Sequence, residues 1–147
     1  MHWQKEKLIK YWKDRKLIKD KRLLEAFKKI PRENFVMQDD ISQAYGDYPL
    51  SIGHGQTISQ PTTVTLMTEA LELKKGNKVL EVGTGSGYQA AIIAEMVNPG
   101  KVITTEIIPE LAEFAKNNIK RLKIKNVKVV KYDGSQGYKK EAPYDRC

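Results

Sequence analysis

Apolar and polar positions follow different rhythms along this chain, and each rhythm predicts an element. Over residues 1–30 the spacing is helical in two pieces. Leu8, Ile9 and Trp12 form one stripe, and Leu23, Leu24, Phe27 and Ile30 form the other. Asp20 stands where the second helix needs an N-cap, and Pro31 stops it. Trp3 and Trp12 lie beside leucines at helical spacing, which predicts core rather than base stacking. The two helices are expected to lie across a sheet. From residue 32 to 61 the periodicity is lost. That segment is too apolar and aromatic for simple disorder, and loops of such length commonly carry function. Helical spacing returns over residues 62–73, with Val64, Met67, Ala70 and Leu71 inward and Pro61 as first residue. Ser59 or Gln60 then sits at the helix N-terminus, where a serine is commonly a plain cap.

Beyond residue 77 short apolar runs alternate with helical patterns. Val79, Leu80 and Val82 read as a strand buried on both faces. Residues 101–106 and 127–132 read as second and third strands. Helices are predicted over 89–97 and 109–122, the latter with Leu111, Phe114, Ala115 and Leu122 inward. Residues 133–141 form a polar loop, and 142–145 prepare a fourth strand. The pattern is α/β in a single domain: residues 1–61 supply helices and a substrate and cofactor loop, and 62–147 the first part of the core.

Candidate chemistry collects where the strands end. Gly83, Gly85 and Gly87 follow the first strand directly. Their G-x-G-x-G spacing differs from the G-x-G-x-x-G of dinucleotide sites and argues against a pyrophosphate cradle. It suits a nucleoside-like ligand such as S-adenosylmethionine. Glu106 ends the second strand, about 20 residues beyond the glycine turn, where such folds hydrogen-bond ribose hydroxyls. Asp133-Gly134 ends the third. Three successive strands thus deliver an acidic residue or glycine turn to one sheet edge, the edge at which open α/β sheets bind ligands.

Composition narrows the class. The chain is 147 residues long, 40% hydrophobic and 30% charged, with net charge +8. The lysines are spread over helix faces and interleaved with acids, which favours a solvated surface over a nucleic-acid interface. The single Cys147 excludes a disulfide framework, and no Cys or His cluster forms a zinc site. His54, between two glycines, reads as a loop residue. Without a signal peptide or an apolar run approaching 18 residues, the expected setting is soluble and cytoplasmic, with no membrane partner.

The block Gly55-Gln56-Thr57-Ile58-Ser59-Gln60-Pro61, together with the glycine turn, Asp133-Gly134, Gly137-Tyr138 and Ala142-Pro143-Tyr144-Asp145, closely resembles the protein-L-isoaspartate O-methyltransferase family. The likeness covers essentially the whole chain. It implies a Rossmann-like, S-adenosylmethionine-dependent methyltransferase fold with added N-terminal helices. It also implies methyl transfer to the α-carboxyl of L-isoaspartyl residues in damaged proteins and peptides, a repair reaction carried out by a monomer. By that resemblance Glu81, Gly83, Gly85 and Gly87 border the cofactor's methionine side, Thr57 and Thr84 also bind the cofactor, Glu106 holds the ribose, and Asp133 and Gly134 meet the adenine. Thr57 and Ser59 face the reacting centre, with Ser59 as the catalytic residue.

The chemistry fits these residue types. A carboxylate with a pKa of about 4 is already ionised at neutral pH, so no strong base is needed. A sulfonium leaving group needs no acid. In-line positioning at about 3 Å and removal of water remain, and a hydroxyl such as that of Ser59 can orient an oxygen. Two positions depart from the family pattern: Tyr132 stands where a small residue is usual, and Cys147 where a hydrophobic β-former is usual. Relatives continue for another third of their length, so the fold is expected to be C-terminally truncated, with an open edge on the first core strand. Two rival readings follow, a nucleic-acid methyltransferase on the same cofactor half and a cofactor-binding chain without activity.

Overall fold

The computed structural model describes residues 2–147. Helices α1 (His2–Asp14) and α2 (Lys21–Lys29) form where the two stripes predict them. Asp20 caps α2 by accepting from Arg22 N at 2.8 Å. The core is a parallel sheet of β3 (Lys78–Val82), β4 (Lys101–Glu106) and β5 (Val127–Lys131), in that spatial order. Val82 pairs with Thr105 and Glu106 with Lys131, so the three carboxyl ends finish level.

Helix α4 (Tyr88–Val97) is buried almost all round, because it is covered on both sides. It packs on the sheet, and α2 packs on α4. The N-terminal helices therefore form an outer layer against α4 and α3 (Pro61–Ala70) rather than lying across the sheet. Helix α5 (Pro109–Arg121) lies against β4 and β5. The opposite sheet face is covered by the segment that follows β5, where Tyr138 packs on Leu80 and Ile103, with Val130 and Tyr144 alongside. At the outer side of β3, Val79 forms a parallel bridge with Arg146, and Leu80 N donates to Arg146 O at 3.0 Å. This is the fourth-strand position that residues 142–145 prepare.

Four further expectations need correction. The segment from 32 to 61 is not without elements: β1 (Leu50–Gly53) and β2 (Gln56–Ile58) form an antiparallel hairpin. Its turn places His54 and Gly55 at φ 54° and 69°, the double left-handed geometry of tight hairpins. In α3 the inward residues are Val64, Thr65 and Thr68, whereas Met67 and Ala70 are exposed. Thr65 Oγ1 donates back to Pro61 O and Thr68 Oγ1 to Val64 O, so these hydroxyls are buried without needing a tertiary partner. Trp12 is fully buried but Trp3 is exposed, since α1 docks through one face only. Val82 is also exposed, because it lies at the tip of β3, past the packed part of the strand.

Candidate functional site

Two adjoining clefts open at the carboxyl end of the sheet. The first, about 80 Å³, brings Thr57 and Ser59 together with Glu81, Gly83, Thr84 and Gly85. The second, about 190 Å³, is lined by Gly83, Glu106, Asp133 and Gly134, with Ile107 and Tyr132. Gly83 belongs to both. The hairpin and the glycine turn, distant in sequence, thus meet over the strand tips.

The glycine turn is pinned by its backbone. Gly83 N and Thr84 N both donate to Thr105 O, at 2.9 and 3.0 Å. Gly85 N donates to Glu106 Oε2 at 2.9 Å, while Glu106 Oε1 accepts from Ile108 N at 3.0 Å. The buried Glu106 carboxylate therefore ties the glycine turn to the start of α5. A carboxylate has about four lone-pair sites, so both oxygens keep acceptor capacity.

Beneath the turn, Thr104 Oγ1 donates to Glu81 Oε1 at 2.6 Å, which leaves Thr84 Oγ1 to donate to Thr104 Oγ1 at 2.7 Å. Thr84 lines the cleft, but its hydroxyl is committed to this relay. Burial, helped by the nearby Glu106 charge and opposed by the Thr104 hydrogen bond, pushes the Glu81 carboxyl up to about 7. Asp133 accepts from Ser135 N at 3.0 Å, a hydrogen bond that holds its carboxyl below the usual range. Gly134 is required by close approach, since a Cβ there would lie 2.2 Å from Thr105 Oγ1.

Ser59 is exposed and makes no side-chain hydrogen bond among the described residues. Its capping role is taken by Asp47, whose Oδ1 accepts from Thr62 N at 2.9 Å and Oδ2 from Thr62 Oγ1 at 2.6 Å. Gly87 alone of the expected cofactor residues lies outside both clefts. At φ 84° it precedes α4, and a Cβ there would sit 3.3 Å from Ala115 Cβ, so it serves the close packing of α4 and α5.

Neither cleft is lined by a lysine or arginine. Carboxylates and hydroxyls dominate the polar groups, an acceptor-rich set unsuited to phosphates and suited to a cationic nucleoside with a ribose diol. Among the described residues there is no cluster of three or more His, Cys, Asp or Glu that could hold a metal ion.

The sequence model of Protein-L-isoaspartate(D-aspartate) O-methyltransferase matches residues 3–147. The chain belongs to this family. Protein-L-isoaspartate O-methyltransferase of Methanopyrus kandleri is 53% identical over 144 residues, covering 97% of this chain and 64% of its own length. A solved protein-L-isoaspartate O-methyltransferase superposes with TM-score 0.84 at 35% identity, over 96% of this chain and 46% of that one. A Plasmodium falciparum protein assigned as a beta-aspartate methyltransferase was solved with S-adenosyl-L-homocysteine. It superposes with TM-score 0.73 at 31% identity, over 86% of this chain and 62% of that one. The chain thus spans about two thirds or less of these isoaspartyl methyltransferase relatives.

Sequence reasoning missed four residues in or around the first cleft. Thr104 holds Glu81, and the pair Thr104-Thr105 directly after the apolar Val102-Ile103 was its signal. Asp47 fixes the helix entry beside Ser59 from a segment with no readable period. Tyr88 also lines the first cleft, and Arg32 stacks behind it with its guanidinium carbon 5.0 Å from the ring centre. Arg32 is fully buried, with Nε donating to Ala44 O at 2.7 Å.

Proposed function

We propose that this chain carries the methyltransferase site that moves a methyl group from S-adenosylmethionine to the α-carboxyl of L-isoaspartyl residues, repairing damaged proteins and peptides in the cytoplasm. One observation carries the reading: Thr57 and Ser59 share a cleft with the glycine turn and Glu81. The cofactor supplies a methyl group already activated by its sulfonium. Glu81 and the glycine turn would hold its methionine side, Glu106 the ribose, and Asp133 and Gly134 the adenine side. Ser59, with its hydroxyl unengaged, donates to one oxygen of the incoming carboxylate and orients the other. No general base takes part, because the carboxylate arrives ionised.

The test is methyl transfer to an isoaspartyl peptide against its aspartyl twin, in a protein of the relatives' full length carrying these residues. Labelling of the isoaspartyl peptide alone is expected, and equal labelling of both rejects the substrate. Ser59→Ala should lower kcat/KM about 10–100-fold with cofactor affinity unchanged, since positioning and one hydrogen bond are lost.

Glu81 adds a pH signature. Its carboxyl titrates near 7, so its charge rises from about one tenth at pH 6 to about nine tenths at pH 8. A cationic sulfonium favours the ionised form. Affinity for S-adenosylmethionine should therefore rise up to about tenfold over that interval, while neutral-sulfur S-adenosylhomocysteine changes far less. Calorimetry at the two pH values checks this, and a parallel response of both ligands would remove Glu81 from the sulfonium's surroundings. The same shift acts on folding. A carboxyl raised in the folded state favours the fold below its ordinary value of 4.5, and that contribution is lost as pH rises through 7.

A further inference from the structure

We infer that Asp47 is a positioning residue for methyl transfer: it occupies the Thr62 amide, so that the Ser59 hydroxyl stays open to the incoming carboxylate. The inference rests on the role proposed for Ser59 and explains why that hydroxyl is unengaged. A serine ahead of a helix readily accepts from a backbone amide two or three residues on. From Ser59 those residues are Pro61, which has no N–H, and Thr62. The first intrahelical bond of α3 runs from Val64 N to Gln60 O at 3.1 Å, so Thr62 N has no acceptor within the helix. Gln60, the N-cap, supplies none from its side chain. Local chemistry alone would therefore turn Ser59 onto Thr62 and away from the cleft.

Asp47 wins this competition on three counts. It holds Thr62 at two points, with Oδ1 accepting from the amide at 2.9 Å and Oδ2 from Oγ1 at 2.6 Å. Its charge makes these bonds roughly twice as strong as those of a neutral hydroxyl, and the positive end of α3 favours it further. Trp12 Nε1 donates to Thr62 Oγ1 at 2.8 Å, which directs the hydroxyl's own hydrogen to Asp47. The loop that presents the carboxylate is itself fixed. Gly46 N donates to Gln43 O at 2.8 Å, and Tyr48 Oη donates to Gln43 Oε1 at 3.0 Å. Asp47 lines neither cleft, so whatever it contributes to the reaction passes through the segment carrying Ser59.

A double-mutant cycle in kcat/KM for the isoaspartyl peptide separates this role from plain support of the fold, in a protein of the relatives' full length carrying these residues. Asp47→Ala should lower kcat/KM about tenfold in the parent, because Ser59 turns to cap Thr62 and its hydrogen bond to the substrate is lost. In the Ser59→Ala background the same change should cost less than about twofold, since the two residues act as one unit. An equal loss in both backgrounds, or no loss in the parent, overturns the inference while leaving the role of Ser59 intact. No effect of Ser59→Ala overturns the reading of Ser59 and the inference with it.

Amide hydrogen exchange at Thr62 in this chain gives a second readout that needs no activity. Ser59→Ala alone should leave Thr62 protection unchanged, because Asp47 holds the amide. Asp47→Ala should keep it within about threefold, as Ser59 takes over, and the double variant should lose about tenfold or more. Loss of protection in Ser59→Ala, or an equal loss in Asp47→Ala and the double variant, overturns the inference. Both side chains are exposed, so the variants are expected to fold, which thermal unfolding checks. Affinity of Asp47→Ala for S-adenosylhomocysteine should stay within about twofold of the parent, and a larger loss would place the damage in the cofactor cleft and overturn the inference.

Discussion

Glu106→Ala is expected to weaken S-adenosylhomocysteine binding by about 1–3 kcal/mol, the range of charge-assisted hydrogen bonds. The side chain does two jobs. Gly85 N and Ile108 N both donate to it, so alanine leaves two partly buried amide groups without their acceptor. It also removes the acceptors proposed for the ribose diol. Glu106→Gln separates these jobs, since one amide oxygen can keep a backbone contact while the charge is lost. Calorimetric titration of the parent and both variants measures the effect. Unchanged affinity in Glu106→Ala would mean that the ribose is held elsewhere.

Trp12→Ala should lower stability by about 3–5 kcal/mol, the usual cost of emptying a large aromatic site. For a chain of this size that is a fall of about 10–20 °C in Tm. Trp12 has no exposed surface and meets Phe27 edge-on at 4.7 Å. Its Nε1 donates to Thr62 Oγ1 at 2.8 Å, and Thr62 Oγ1 donates onward to Asp47. Trp12→Phe keeps most of the packing and loses the hydrogen bond, so a loss of about 1–2 kcal/mol is expected. Urea unfolding of the three proteins decides the matter. A loss below about 1 kcal/mol in Trp12→Ala would show that α1 adds little to the folded unit.

The sequence was most legible where backbone demands are strict. A buried strand, a glycine turn and a helix must follow one another closely, and β3, Gly83 to Gly87 and α4 do so. The level ends of β3, β4 and β5 follow from parallel register, which is why Glu106 and Asp133 could be placed at one edge in advance. Legibility failed where a local bond replaced a hydrophobic period. Thr65 and Thr68 look polar in sequence, yet they face inward because their hydroxyls bond to their own helix. The β1–β2 hairpin has strands of four and three residues, too short to display alternation, and its Gly-His-Gly turn was the only sign. Gly87 shares the spacing of its neighbours but answers to α5 instead of the cleft. Spacing alone cannot separate a glycine that admits a ligand from one that admits a helix.

The contact from Trp12 to Thr62 gives the protein an optical property. The chain holds two indoles, and Trp3 is bathed in solvent. The other is dry, and its ring nitrogen is tethered to the helix that opens just after Ser59. Its emission wavelength therefore reports on the threshold of the reaction cleft from within, with no dye attached. Muting the solvent-facing ring with Trp3→Phe would leave a single native indole, looking out from the hydrophobic interior at the segment that greets the substrate.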